Sequence, residues 1–307
     1  MVVAGRLARY PCEAGLNTFP GLASRRITPH NWSVIVTTQA IALQIRPWSK
    51  TSHMVTWLTP DHGRIVTAVK GACRPKSAFL GQYDLFYTCD LLFYRREHDG
   101  VHAIRECAPL APREPLRRDW RRAAAAAYIA DLTARATHGH HEDTALYTLL
   151  ARTLDLLADT PATPAAELIL WYEIHLLRLL GLMPDFAPCP LCHTGARRWL
   201  RFSLPSGRFI CSHRSLSRPD EATVAIHRGV QRLFQTFCDE DFPPPVTGAS
   251  DTSPDKKNGP AQNLLFGLSR FLGIFIAFHL DAPSAVRRVA FELLNANPTL
   301  KHASLEM

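Results

Sequence analysis

Between Ala40 and Ala108 the apolar positions recur with a period of two. Ile41, Leu43 and Ile45 alternate with Ala42, Gln44 and Arg46, which predicts a half-buried strand with one polar face. Met54 to Thr59 and Arg64 to Lys70 predict a hairpin, because Pro60, Asp61, His62 and Gly63 supply turn chemistry between two β-rich runs. Leu85 to Tyr94 is long, apolar and aromatic, and Glu97-His98-Asp99-Gly100 separates it from a fifth run, Val101 to Ala108. Five short strands within about seventy residues predict a small antiparallel barrel over 40–110, and a basic face on such a barrel makes an OB-fold the expected architecture. Residues 1–39 are expected to be a disordered extension with Arg6, Arg9, Arg25 and Arg26 against Glu13, although Trp32 to Val36 are able to pack on the barrel.

Beyond Leu110 the period changes to about 3.6 and alanine and leucine take over, predicting an α-helical domain over 111–300. Asp119 is placed to cap a helix containing the Ala123 to Ala127 run. Asp143 to Ala158 predicts a second helix, with Leu146, Leu149, Leu150, Leu154 and Leu157 on one stripe. A third, Ala165 to Leu180, ends at Gly181 with Pro184 just beyond. Glu221 to Cys238 reads as a further helix, 242–263 as a flexible loop rich in Pro, Gly, Ser, Asp and Lys, and Leu264 to Leu280 as the last helix. That last segment carries Arg270 and His279 in its seventeen residues, so a buried helix is expected rather than a membrane span. The whole chain is thus α+β: a five-stranded barrel, then helices.

Charge sharpens the picture. The chain holds 35 Lys and Arg against 27 Asp and Glu, a formal net charge of +8. From Ala40 to Ser77 the bases Arg46, Lys50, Arg64, Lys70, Arg74 and Lys76 face the single acid Asp61, so a polyanion suits this segment best. Cys73-Arg74-Pro75-Lys76 reads as a rigid basic loop. Arg117, Arg118, Arg121 and Arg122 crowd a helix start, where they oppose the macrodipole; they serve either contact with DNA or an acidic partner, or solvation alone. A second motif lies at 187–216: Cys189-Pro190-Leu191-Cys192, then eighteen residues, then Cys211-Ser212-His213-Arg214. A hairpin of Trp199 to Leu204 and Arg208 to Ile210 around Pro205-Ser206-Gly207 would bring Cys211 back to the first pair and form an inserted zinc-finger-like element. Arg214 stands where a fourth cysteine would complete the set, leaving His213, His193 or water as fourth ligand, or a knuckle that holds no metal. Cys12, Cys73, Cys89, Cys107 and Cys238 show no disulfide-framework spacing, as expected for a reducing cytoplasm. Ordered Ser/His/Asp sets, phosphate-cradling glycine loops and HExxH are missing from the sequence, so no enzyme is expected; a zinc hydrolase on Cys189, Cys192 and Cys211 would lack a nearby acid or base.

The order of these parts resembles the RecO family of bacterial DNA repair and recombination mediators. The resemblance lies in the strand ending at Arg46, the hairpin Leu58-Thr59-Pro60-Asp61-His62-Gly63-Arg64, and the loop Val69-Lys70-Gly71-Ala72-Cys73-Arg74-Pro75-Lys76-Ser77. It continues at Leu179-Leu180-Gly181-Leu182-Met183-Pro184-Asp185-Phe186 leading into Cys189-Pro190-Leu191-Cys192, and at Phe278-His279-Leu280. The resemblance implies an OB-fold, a helical domain and a zinc-finger-like insertion in a non-enzymatic protein. Such a protein binds single- and double-stranded DNA and anneals complementary strands. With RecR it loads RecA onto DNA covered by single-strand-binding protein. By position it assigns DNA binding to Arg46, Lys50, Arg64, Lys70, Arg74 and Lys76, and zinc ligation to Cys189, Cys192 and Cys211, with Arg214 departing from the fourth ligand. The rival expectation is a protein-interaction scaffold with incidental DNA affinity. A RecR-like partner is expected on the barrel, over the apolar run Leu85 to Tyr94.

Overall fold

The computed structural model describes residues 34–96, 100–137, 142–159, 165–187, 199–210, 222–240, 260–282 and 284–295. Strands β1 (Val34–Ser49), β2 (Ser52–Thr59), β3 (Gly63–Val69), β4 (Thr88–Arg95) and β5 (His102–Ala111) form a closed barrel in the order β1-β2-β3-β5-β4. All neighbours are antiparallel except β3 and β5, which meet in parallel at Thr67 with His102 and Ala68 with Ala103. The barrel begins six residues ahead of the expected boundary at 40, because Val34 to Ile41 pair residue by residue with Arg95 to Thr88. Leu85 to Tyr87 lie ahead of β4 rather than in it: Phe86 has φ +68° and bonds back to Ala42, which turns the chain before the strand starts.

From Ala40 to Leu43 strand β1 is buried on both faces, and its parity is the reverse of the simple alternation. Ala40 and Ala42 point into the barrel core with Val55, Trp57, Ile65, Leu91 and Phe93, whereas Ile41 and Leu43 join the core of the helical body. Small side chains stand inside because Trp57 occupies that space, its indole Nε1 donating to Thr67 Oγ1 at 2.8 Å. A register shift between Ala42 and Gln44 then inserts one residue, so Ile45 packs on the barrel core while Gln44 faces Asp131 of the helical body. One extra residue in a strand inverts every side chain beyond it.

The helical body comprises α1 (Pro115–Arg118), α2 (Trp120–Ala136), α3 (Thr144–Asp159), α4 (Ala165–Leu179), α5 (Arg228–Asp239), α6 (Pro260–Leu280) and α7 (Ser284–Asn295). Asp119 caps α2 by accepting from the Arg121 amide, Asp143 caps α3 by accepting from the Leu146 amide, and the five expected leucines of α3 are buried. After α4 the chain turns at Gly181, φ +69°, with Leu182 N donating to Leu177 O. Part of the expected helix from Glu221 is a strand: β8 (Thr223–His227) pairs with β6 (Trp199–Ser203), and β6 with β7 (Arg208–Ile210), in a small sheet ordered β7-β6-β8. Its β-branched residues find a ladder partner some twenty residues away, which local periodicity does not reveal. Helix α6 is long and apolar enough to cross a membrane by composition. Here it inserts Leu268, Phe271, Leu272, Phe275 and Ile276 into the core instead. Helix α7 adds Arg287, whose guanidinium forks onto Glu173 at 2.7 and 2.9 Å, while Tyr128 donates to the same carboxylate at 2.6 Å. Burial, then the Glu173 charge, holds the Tyr128 phenol well above its usual value.

Arg113 joins the two halves. It sits buried at φ +45° and donates from Nη1 to Phe86 O at 2.7 Å and to Thr88 Oγ1 at 2.9 Å, and from Nε to Asp155 of α3 at 2.7 Å. Arg113→Ala is expected to lower unfolding free energy by about 3 kcal/mol, because it strands buried acceptors. Asp155→Asn, acting on a carboxylate that is half exposed, should cost under about 1 kcal/mol. Urea denaturation of both variants checks this; equal losses would show that the buried acceptors are unimportant.

Candidate nucleic-acid interface

The barrel divides the six expected basic residues. Arg46 lies late in β1 opposite Met54, Lys50 follows the end of β1, and Lys70, Arg74 and Lys76 follow the end of β3, opposite His53 of β2. These five share one rim and are exposed. Arg64 is half-buried at the other end of β3, six residues from Lys70 and so about 20 Å away. It belongs to the hairpin whose Pro60 carbonyl accepts from the Asp143 amide of the helical body, and does not join the rim. Asp61, the one acid of the segment, is also at that far end, accepting from Thr38 Oγ1.

The loop carrying three of the rim cations is fastened at several points. Cys73 N donates to Thr51 O and Gly71 N to Ser52 Oγ, tying the loop to the β1–β2 turn. Within it Arg74 N bonds Gly71 O and Ser77 N bonds Arg74 O, two consecutive tight turns. Cys73 Sγ lies 3.2 Å from His53 Nε2, and His53 Nδ1 lies 2.8 Å from the Tyr83 hydroxyl. Burial, with the nearby Cys73 and Cys107 thiols, raises the Tyr83 pKa, keeping it a neutral anchor. Gly71 takes φ +73°, and the Arg74 side chain folds over the space a Cβ would fill, 3.4 Å from Arg74 Cδ. Among the described residues none of the five rim cations has an ion-pair partner; Arg46 makes a hydrogen bond to Gln44 Oε1 at 2.9 Å. Beside Lys50 stands Trp48, 53 % exposed, which charge counting overlooked. The signal was present as a lone tryptophan near the end of the strand, between Arg46 and Lys50.

The helix-start arginines are spent differently. Arg117 pairs with Asp84 and lies over the Tyr87 ring, Arg118 pairs with Glu114, and Arg122 pairs with Asp119 and donates to Ala158 O. They tie α1 to the barrel and α2 to α3, and leave less charge for an outside anion than the rim does. The run Leu85 to Tyr94 offers little partner surface, since Phe86, Tyr87, Leu91 and Phe93 are buried.

Cys189, Cys192, Cys211, His213 and His193 lie outside the described residues. The hairpin that frames them is present: β6 and β7 pair Ser203 with Arg208 around Pro205-Ser206-Gly207. Asp185 N donates to Gly207 O and its carboxylate pairs with Arg208, in a parallel bridge between residues 185 and 208.

A five-stranded barrel with a cationic rim, mounted on a helical body that carries a small three-stranded sheet, defines an α+β protein with a surface suited to polyanions. Two family descriptions match it: "Recombination protein O N terminal" over residues 34–113 and "Recombination protein O C terminal" over 117–248. The chain is 28 % identical over 179 residues to the DNA repair protein RecO of Alkaliphilus metalliredigens, covering 58 % of this chain and 71 % of the relative. It is 24 % identical over 204 residues to the protein of that name from Bacillus cereus, covering 66 % and 79 %. The chain belongs to the RecO family.

Gly71→Ala is expected to destabilise the protein by about 1–2 kcal/mol through its left-handed backbone. A loop shift that relieves this backbone strain would also move Arg74, whose Cδ lies 3.4 Å from the new Cβ, so that the variant elutes from a heparin column at lower salt. Gly71→Asn, which tolerates this conformation better, should lose less stability. Unaltered elution of a folded Gly71→Ala protein would show that the Arg74 position is immaterial.

Proposed function

We propose that this chain is a DNA-binding recombination mediator in DNA repair. It anneals complementary single strands and, with a RecR partner, helps to load RecA onto DNA coated with single-strand-binding protein. It acts without catalysing a reaction, in the cytoplasm. The observation that carries this reading is the rim of Arg46, Lys50, Lys70, Arg74 and Lys76, five exposed cations without acidic partners among the described residues. The closed order β1-β2-β3-β5-β4 supports reading the barrel as an OB-fold, and the relatives' name, DNA repair protein RecO, supports the role. Annealing asks for sequence-tolerant contacts: phosphates neutralised by cations that already hold their positions, and bases resting on an aromatic ring such as Trp48. Arg64 has no part in the rim and serves the junction or a more distant phosphate.

If about four of the rim cations meet single-stranded phosphates, the log–log salt slope of binding is roughly −3, from about −0.7 per phosphate. Lys70, Arg74 and Lys76 replaced together by alanine should reduce its magnitude by about 2 and weaken all sequences alike. Trp48→Ala should weaken single-strand binding about tenfold with the slope intact. Titrations of mixed-sequence oligonucleotides at several salt concentrations read both effects, and annealing of oligonucleotides coated with single-strand-binding protein reads the activity. An unchanged slope in the folded triple variant would move the site off this loop.

For the insertion we propose one zinc ion per chain on Cys189, Cys192, Cys211 and His213. The bridge between Asp185 and Arg208 supports it, since these residues stand four and three positions ahead of Cys189 and Cys211. A tetrahedral Cys3His set fits zinc. Elemental analysis of chelator-washed protein should find the metal, with a lower melting temperature once it is stripped; no zinc and an unchanged melting temperature would show the knuckle to be empty.

A further inference from the structure

Strand β6 alternates over its first four residues, with Trp199 and Arg201 exposed and Phe202 buried, and is buried again at Ser203. Phe202 is fully buried among Phe186, Phe209, Phe271 and Phe275, so Trp199 and Arg201 stand on the opposite, outer face of the β7-β6-β8 sheet. Trp199 is 60 % exposed, with the His227 ring edge-on at 5.2 Å across the strand pair Trp199–His227. Arg201 is exposed, and among the described residues its hydrogen bond is a 3.4 Å contact to Thr223 Oγ1; its cross-strand neighbour Ala225 leaves open floor beside it. Arg208, on the neighbouring strand, is exposed and pairs with Asp185 at 3.2 Å. The surrounding sequence is as basic as the barrel segment: the 34 residues from Phe186 to Pro219 contain six arginines and no Asp or Glu. An indole lying open on a sheet whose strands are acid-free is poorly suited to water and well suited to a base with its phosphate beside it.

We propose that the outer face of this small sheet, through Trp199 and Arg201, is a second contact for single-stranded nucleic acid, distinct from the barrel rim. It rests on the DNA-binding reading above and extends it: one chain holds two strands at once, one on each surface. Two strands on one protein meet at a high effective concentration, which is what pairing of complementary sequences needs. Stacking on Trp199 orients a base while Arg201 takes a phosphate, so the second surface discriminates little between sequences.

The test uses the full chain and two oligothymidylates that cannot pair, one carrying a fluorescent donor and the other an acceptor. Bridging of both strands by the protein appears as energy transfer. The Trp199→Ala, Arg201→Ala double variant should bind a first strand within about twofold of the parent, yet require about tenfold more second strand to bridge. Trp199→Phe should retain bridging, because a phenyl ring still stacks. Lys70, Arg74 and Lys76 replaced by alanine should weaken first-strand binding and bridging together. Undiminished bridging by the folded double variant would overturn the second surface while leaving the barrel reading untouched. Conversely, loss of all binding in the double variant with none in the triple variant would overturn the barrel site and keep this face as a nucleic-acid contact.

Discussion

Strand β1 has to bury both of its faces, and most of the architecture answers that requirement. A strand covered on one side only would place Ile41 and Leu43 against water; covered on both, they become the floor on which the helical body rests. Fully burying two such side chains is worth roughly 3–6 kcal/mol in area terms, and Leu58 and Phe86 join them in the same apolar cluster beside a set of polar contacts. Those polar contacts, at Pro60, Gln44 and Arg113, then set the angle and register of docking. The bulge at Ala42–Gln44 ends the two-sided burial. Beyond it β1 releases its outer face toward solvent and runs out through Trp48 to the turn bearing Lys50. The same inserted residue therefore separates the anchored part of the barrel from its rim.

Local signals carried the element types well, and their failures share one physical origin. Turn chemistry at Pro60 to Gly63, the cap at Asp119 and the stop at Gly181 depend on neighbouring residues alone, and each stands as read. The face assignment in β1 did not, because which of two apolar rows enters the barrel depends on Trp57 filling the inside and on a body packed outside. Strand β8 was hidden for a similar reason, its ladder partner lying across an insertion. Helix α7 lies beyond Leu264 to Leu280, the last helix the periodicity predicts; its one hint is Glu173 within the apolar helix AAELILWYEIHLLRL, an acid whose partner Arg287 comes from that later helix.

The site was legible in composition but not in geometry. Counting charges grouped Arg64 with Lys70, although a strand's length separates them, and counting could not see that Arg117, Arg118 and Arg122 already hold acids. What distinguishes a binding cation from a structural one is whether an acid has claimed it. That information comes only with the fold.

The clasp of Arg287 on Glu173 and Tyr128 also has a history in time. Arg287 follows Glu173 by 114 residues, so a ribosome adding 5–20 residues per second makes the carboxylate roughly 6–23 s before its partner. During that interval α2 and α4 hold an acid that has to stay wet, and the helical body remains loose while the barrel, whose strands are all made earlier, is free to close. Synthesis therefore makes every strand of the cationic rim before the residue that closes the buried ion pair of the helical body.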